Sequence, residues 1–357
     1  MRHVILLCGG RSAEHEVSLL SVASVIRNLD RSKYRVSVLG IAKDGSTKPS
    51  ARLRSELGDL GGAATDFPEV PHWIGYLLEQ GGSDVVVFPV LHGPYGEDGT
   101  VQGLLEVLDI PYVGASVGGS AVGMNKVYCK AILQAAGIPT LPALSWSIDQ
   151  WRSERGGVLE ASEKRFPFPV FVKPVNLGSS VGISRCQSHA ELERAVEEAF
   201  QFDDWVLVEQ GIDAREIEAS VLGGFEARVS LPGEIIPADV FYSYEAKYLN
   251  NDSKLLIPAP LDQAQIEEIQ DLALRTFRVL QLEGMARVDF LMERKTMQVW
   301  VNEPNTIPGF TRISMYPKLW EVSGLSYSDL LSTLVELACQ RQVRRRRLRV
   351  DRRRSSV

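Results

Sequence analysis

A chain of 357 residues exceeds one typical core and divides into two or three domains. Hydrophobic residues make up 45% and charged residues 24%, which excludes a disordered chain, and no apolar run reaches the length of a membrane-spanning helix. The formal charge of −6 is uneven: residues 341–357 carry nine Arg against one Asp, leaving the rest near −14.

The opening MRHVILLCGG is too short an apolar run for a secretory signal and reads as a buried strand that turns at two glycines. A helix at SLLSVASVIRNL and a strand at YRVSVLGIA complete one βαβ unit. DVVVFPVLHG and IPYVGAS supply further strands around a helix at TVQGLLEVL, so residues 1–105 are expected to form a small parallel α/β domain. Residues 106–207 begin with a helix through SAVGMNKVYCKAILQAAGI. They continue through a polar segment, SIDQWRSERGGVLEASEKR, to FPVFVKPVNLGSSVGISRC, a hairpin with a glycine-serine tip. Residues 208–340 hold short strands at REIEASVLG and EARVSL, a polar loop through 241–255, a helix near 264–280 and the hairpin MARVDFLMERKTMQVWVNEPN. The expected class is α/β followed by α+β with antiparallel sheets. The arginine-rich end, 341–357, is expected to be a solvated, disordered tail with no nucleic-acid role in catalysis. Cys8, Cys129, Cys186 and Cys339 are scattered without CxxC pairing and read as reduced packing residues, which favours a soluble cytoplasmic protein.

The last hairpin carries the chemistry. Residues two apart on a strand share a face, so Glu303 projects with Asn305, and Arg287 with Asp289. A turn centred near Thr296 sets Asp289 opposite Glu303 and Arg287 opposite Asn305. Two carboxylates and an amide oxygen, without His or Cys, form a hard ligand set suited to Mg²⁺ or Mn²⁺, with nucleotide phosphates and water completing the coordination. Pro304 stiffens the residue between them.

Elsewhere, VKPVNLGSSVG places Lys173 on a strand entering a loop able to wrap an anion, although the Walker pattern GK[ST] is absent. Taken alone, Lys126 and Lys247 read as solvated surface lysines. The dinucleotide fingerprint GxGxxG is missing from GGRSAEHEVSLLS, which argues against a nicotinamide-dependent dehydrogenase. Glu14 in that stretch either caps the following helix or holds a substrate ammonium.

Seven motifs, GGRSAEHEVS, LHGPYGEDGTVQG, MNKVYCK, VKPVNLGSSVG, YEAKYL, ARVDF and NEPNTIPGFT, stand together in an order that resembles the D-alanine:D-alanine ligase family of the ATP-grasp superfamily. The resemblance implies three domains, with ATP between the antiparallel sheets of a central and a C-terminal subdomain. It implies that Lys126 and Lys173 bind phosphates and that Lys247 lies near the γ-phosphate. Glu209, Gln210 and Ile212 match the adenine hinge, Glu216 the ribose-binding acid, and Asp289, Glu303 and Asn305 the ligands of two Mg²⁺ ions. Gln210 stands where some members have lysine. Glu14 is implied at the first D-alanine's ammonium with His92 nearby, Arg287 and the Gly309 N–H at the developing oxyanion, and Ser314 with Met315 at the second D-alanine's carboxylate.

The same resemblance groups Glu14, Ser179 and Tyr248 as a hydrogen-bonded trio that closes the site. Tyr248 goes with dipeptide synthesis; a D-alanine:D-lactate ligase or another D-amino-acid ligase is the alternative, and a silent nucleotide-binding module would have lost a metal ligand or a phosphate lysine. A homodimer is also implied.

Overall fold

The computed structural model describes residues 1–58, 65–80, 84–237 and 254–349. Its first sheet has the strand Arg2–Gly9 between parallel partners Tyr34–Ile41 and Val85–Pro89. Val4 to Cys8 are wholly buried, because helices cover both faces of a parallel sheet and leave no solvent side for polar alternation. Helix His15–Asn28 packs on one face together with the C-terminal helix Tyr327–Arg346, whose Leu330, Leu331, Leu334 and Val335 share a core with Val4, Leu6, Val22 and Val25. The chain thus returns to its own beginning.

The second sheet is antiparallel, ordered Ala143–Ser147, Trp205–Gln210, Val170–Pro174, Ser184–Cys186. Helices Ile148–Arg165 and His189–Ala199 back it through Trp151, Val158, Leu192 and Val196. The third sheet is also antiparallel and runs Lys254–Leu256, Gly233–Ile236, Ala214–Gly223, Gly284–Glu293, Val299–Asn305, with helix Gln263–Val279 behind it. This is the expected succession of a parallel α/β unit and two antiparallel subdomains.

Three expectations need correction, and one segment left unassigned proves to be a helix. IPYVGAS forms no strand; Tyr112 makes an isolated bridge to Val87 and the segment lies along the first sheet's edge. The expected break at 105 cuts the helix Thr100–Val107, and the first unit's backbone hydrogen bonds continue to Val113. The polar segment after Ser147 is an 18-residue helix opened by a Ser147–Gln150 capping box, its pattern obscured by Gly156, Gly157 and a kink at Glu154. The basic tail is helical as far as Arg346.

Arginine is a good helix former, and cations at a helix C-terminus are favoured by the dipole. Acidic partners complete the explanation for the tail: Arg344 pairs with Glu283, Arg345 with Glu106 and Arg346 with Asp109. Arg341 is buried and forks across the carbonyls of Tyr112 and Gly114. The four cysteines are free thiols, with only Cys339 partly exposed. Among the described residues no helix is long and apolar enough to cross a membrane.

Candidate functional site

The two antiparallel sheets enclose a cleft of about 430 Å³ lined by Phe171, Lys173, Glu209 and Gln210 of one sheet, by Ile212 in the connection between the two, and by Glu216, Asp289, Asn302 and Glu303 of the other. The final hairpin has the expected register, Asp289 opposite Glu303 and Arg287 opposite Asn305. Arg287 donates to both Asp289 oxygens at 2.6 and 2.7 Å and lies 3.0 Å from Glu218, while Asn305 donates to Asp289 at 2.9 Å. Farther along, Phe290 faces Val301, which leaves Asn302 as an extra residue in a β-bulge. Strict alternation would turn Asn302 away from the cleft; the bulge instead brings its amide oxygen within 3.3 Å of Lys173 Nζ. Period-two reasoning therefore missed Asn302.

Among the described residues no group of three or more His, Cys, Asp or Glu gathers as a metal cluster. The oxygen donors are two acids with Asn305, and a carboxylate has about four lone-pair sites, so the Arg287 pair leaves Asp289 acceptor capacity. The set fits a hard divalent cation.

Lys126 and Lys130 sit four apart on one face of helix Lys126–Ala135, whose first turn Asn125 caps through the Tyr128 N–H. Both are buried rather than solvated, as is Lys173. Lys126 Nζ donates to the Leu177 carbonyl and lies 3.6 Å from Glu303. Glu209 is 1% exposed, forms an ion pair with Lys130 at 2.5 Å and accepts from Lys173 at 2.8 Å. Burial works to raise the Glu209 pKa, but the two ammonium groups outweigh it and hold the carboxyl at about 2. Burial likewise works to lower the Lys173 pKa, and Glu209 and Glu303 reverse it to a net rise. Lys130 escaped the sequence reading, although its spacing from Lys126 was the available signal.

On the N-terminal side a small cavity of about 80 Å³ is lined by Glu14, His92, Glu97, Ser179, Arg287 and Gly309, with Ser314 and Met315 also on its wall. Glu14 precedes helix His15–Asn28 but makes no side-chain cap, which removes the capping explanation; its carboxylate accepts from the Ser179 hydroxyl instead. Ser179 and Ser180 have φ of 50° and 61°, so the loop tip curls through the left-handed region above Glu14. Gly93 is required beside it, because a Cβ there would stand 2.6 Å from Glu14 Oε2 at φ +76°.

His92 Nδ1 donates to the Ile307 carbonyl at 3.0 Å, and Nε2 accepts from Ser21 at 3.0 Å. Glu97, in the quoted GEDG motif but not singled out, lies 3.7 Å from His92. Burial raises its carboxyl to about 6, opposed by the neighbouring His92 imidazole and reinforced by Glu14. Burial would lower the His92 pKa, but Glu97 and Glu14 raise it overall. Gly309 packs so closely that a Cβ would meet Ser314 Oγ at 2.6 Å, and Ser314 itself precedes helix Met315–Val322. The Gln210 side chain donates to the Pro167 and Gly211 carbonyls, at the rim of the cleft. Lys247 and Tyr248 lie outside the described residues.

Two antiparallel sheets closing on a cleft, with buried lysines on one wall and matched acids on the other, give the ATP-grasp layout, whose cleft suits the phosphates of a nucleotide. Residues 3–115 match the family model described as D-ala D-ala ligase N-terminus, and 132–336 the one described as D-ala D-ala ligase C-terminus. The chain belongs to the D-ala D-ala ligase family. It is 45% identical to a D-alanine–D-alanine ligase of Heliobacterium modesticaldum over 98% of both chains. Identity to a Thermoanaerobacter D-alanine–D-alanine ligase is 47%, over 95% of this chain and 97% of that one. Among solved structures, a D-alanine-D-alanine ligase from Coxiella burnetii superposes with a TM-score of 0.80 at 37% identity, covering 97% of this chain and 96% of that chain. A D-Ala:D-Ser ligase from Enterococcus faecalis superposes at 0.79 with 30% identity, covering 94% and 99%.

Proposed function

We propose that the protein joins two D-alanine molecules into D-alanyl-D-alanine at the expense of ATP, through an acyl phosphate, for peptidoglycan precursor synthesis in the cytoplasm. A carboxylate is a poor electrophile. In this reading the first D-alanine's carboxylate attacks the γ-phosphorus and displaces ADP, giving an acyl phosphate; the second D-alanine's neutral amine then attacks its carbonyl carbon, expelling inorganic phosphate and giving up a proton. The observation that carries the reading is the contact between two spaces. The small cavity holding Glu14, Arg287 and Gly309 shares Glu218 and Glu303 with the larger cleft of Lys173, so an amino acid in one reaches a nucleotide in the other.

Each side chain has a task there. Glu14 holds the first ammonium, with His92 beside it and Ser179 fixing the acid's direction. Lys126 and Lys173 bind the phosphates, the resemblance assigns Lys247 to the γ-phosphate, Glu209, Gln210 and Ile212 form the adenine hinge, and Glu216 receives the ribose. Asp289, Glu303 and Asn305 would hold divalent cations, which supply positive charge against the phosphates. Arg287 and the Gly309 N–H stabilise the tetrahedral oxyanion. Ser314 and the Met315 N–H meet the second carboxylate at a helix N-terminus, where anions are favoured. The homodimer implied by the resemblance is the proposed assembly.

Incubation with ATP, Mg²⁺ and D-alanine should release phosphate and dipeptide in equal amounts, and L-alanine should give neither. Phosphate without dipeptide would refute the reading. D-Lactate or D-serine used in preference as second substrate would assign the alternative ligase.

A further inference from the structure

We infer that Lys130 is a positioning residue for nucleotide binding: it takes up the charge of Glu209, leaving Lys173 a net positive group for the phosphates. This rests on the ATP-dependent reading above. Lys130, Glu209 and Lys173 form one buried chain of charge, with side-chain exposures of 7%, 1% and 11%. Lys173 and Glu209 line the cleft, whereas Lys130 stands behind Glu209, its ammonium also 3.3 Å from the Leu141 carbonyl. It is placed to act on a ligand through Glu209.

The charge count decides what a polyphosphate meets. With Lys130 the trio carries one net positive charge. Without it, Glu209 and Lys173 form a neutral pair, and the carboxylate repels the anion that Lys173 attracts. Glu209 is still needed, since two buried ammonium groups with no carboxylate between them would repel each other, and it holds Lys173 Nζ toward Asn302 and the cleft. A fully buried ion trio is an expensive way to join a helix to a sheet, because desolvation of each charge offsets the attraction. Apolar side chains would serve cohesion as well. The placement of the trio at the cleft wall is explained by the charge it presents there.

The test uses the full chain with Lys130→Met, Lys130→Gln and Lys130→Arg, measuring KM for ATP, KM for D-alanine and equilibrium binding of ATP and of adenosine. Lys130→Met should raise KM for ATP about tenfold, the scale of one charge contact, while KM for D-alanine moves far less. Lys130→Arg should stay near wild type. Adenosine, which carries no phosphate, should bind each variant within about threefold of wild type, which separates a lost charge from a displaced Glu209. An unchanged KM for ATP in Lys130→Met, or a loss of adenosine binding as large as the loss of ATP binding, overturns the inference. If Lys130→Met does not fold, Lys130→Gln decides by the same readout: ATP binding within about threefold of wild type overturns it. A wild-type protein that makes no dipeptide would instead count against the ligase reading.

Discussion

Replacing Arg341 by Ala tests whether the arginine-rich C-terminus is part of the fold. Arg341 is 5% exposed, its guanidinium donates to the Gly114 and Tyr112 carbonyls, and it lies 4.1 Å from the centre of the Tyr112 ring. Each charge-assisted hydrogen bond contributes about 1.5–3 kcal/mol, and the ring contact about 1–2 kcal/mol when desolvated. The desolvation of Arg341 itself, relieved in the variant, offsets part of this, so the net loss is about 3 kcal/mol. Arg341→Lys should lose about half, because an ammonium reaches one carbonyl where the planar fork reaches two. Urea unfolding followed by tryptophan fluorescence measures the loss, and hydrogen exchange at residues 112–115 shows where it falls. Truncation after Gln340 should cost at least as much as Arg341→Ala. The half-exposed pairs of Arg344, Arg345 and Arg346 add only tenths of a kcal/mol each. An Arg341→Ala protein within about 0.5 kcal/mol of wild type, as at an ordinary surface position, would refute the reasoning.

Glu303→Gln should lower phosphate release more than about a hundredfold, on the scale of removing one electrostatic stabiliser, with an unchanged circular dichroism spectrum; full activity would contradict its assignment. Gly309→Ala, whose Cβ would stand 2.6 Å from Ser314 Oγ, should lower kcat/KM for D-alanine by about tenfold or more while ATP binding holds, as equilibrium binding would check. For pH, Glu209 titrates near 4.5 when unfolded and at about 2 when folded, so the unfolded chain binds more protons between those values and stability falls as pH drops through that window. Glu209→Gln should remove this slope, so its urea midpoint should change less than that of wild type between pH 5 and pH 3; equal slopes would show that Glu209 is not held ionised.

The hairpin that bears the acids was legible because its geometry is local: a turn near Thr296 and a period of two suffice to set Asp289 against Glu303. The same rule failed one residue away, at Asn302, because a bulge is a tertiary adjustment with no letter of its own. Helix Ile148–Arg165 was hidden for a related reason. Its Gly156–Gly157 pair weakens intrinsic helicity, and burial of Trp151, Val158 and Leu159 against the second sheet overrides that weakness.

Charge was the hardest feature to read. Lysine is a solvated residue by default, so Lys126, Lys130 and Lys173 gave no sign of burial, which depends on Glu209 and Glu303 arriving from distant strands. The arginine run misled in the opposite sense: its composition suggests a solvated tail, yet Glu106, Asp109 and Glu283 meet it on the first and third units. In both cases a like-charged segment becomes ordered only where the fold delivers the opposite charge. The motifs therefore locate the chemistry, while the counter-charges that hold it in place are found only in three dimensions.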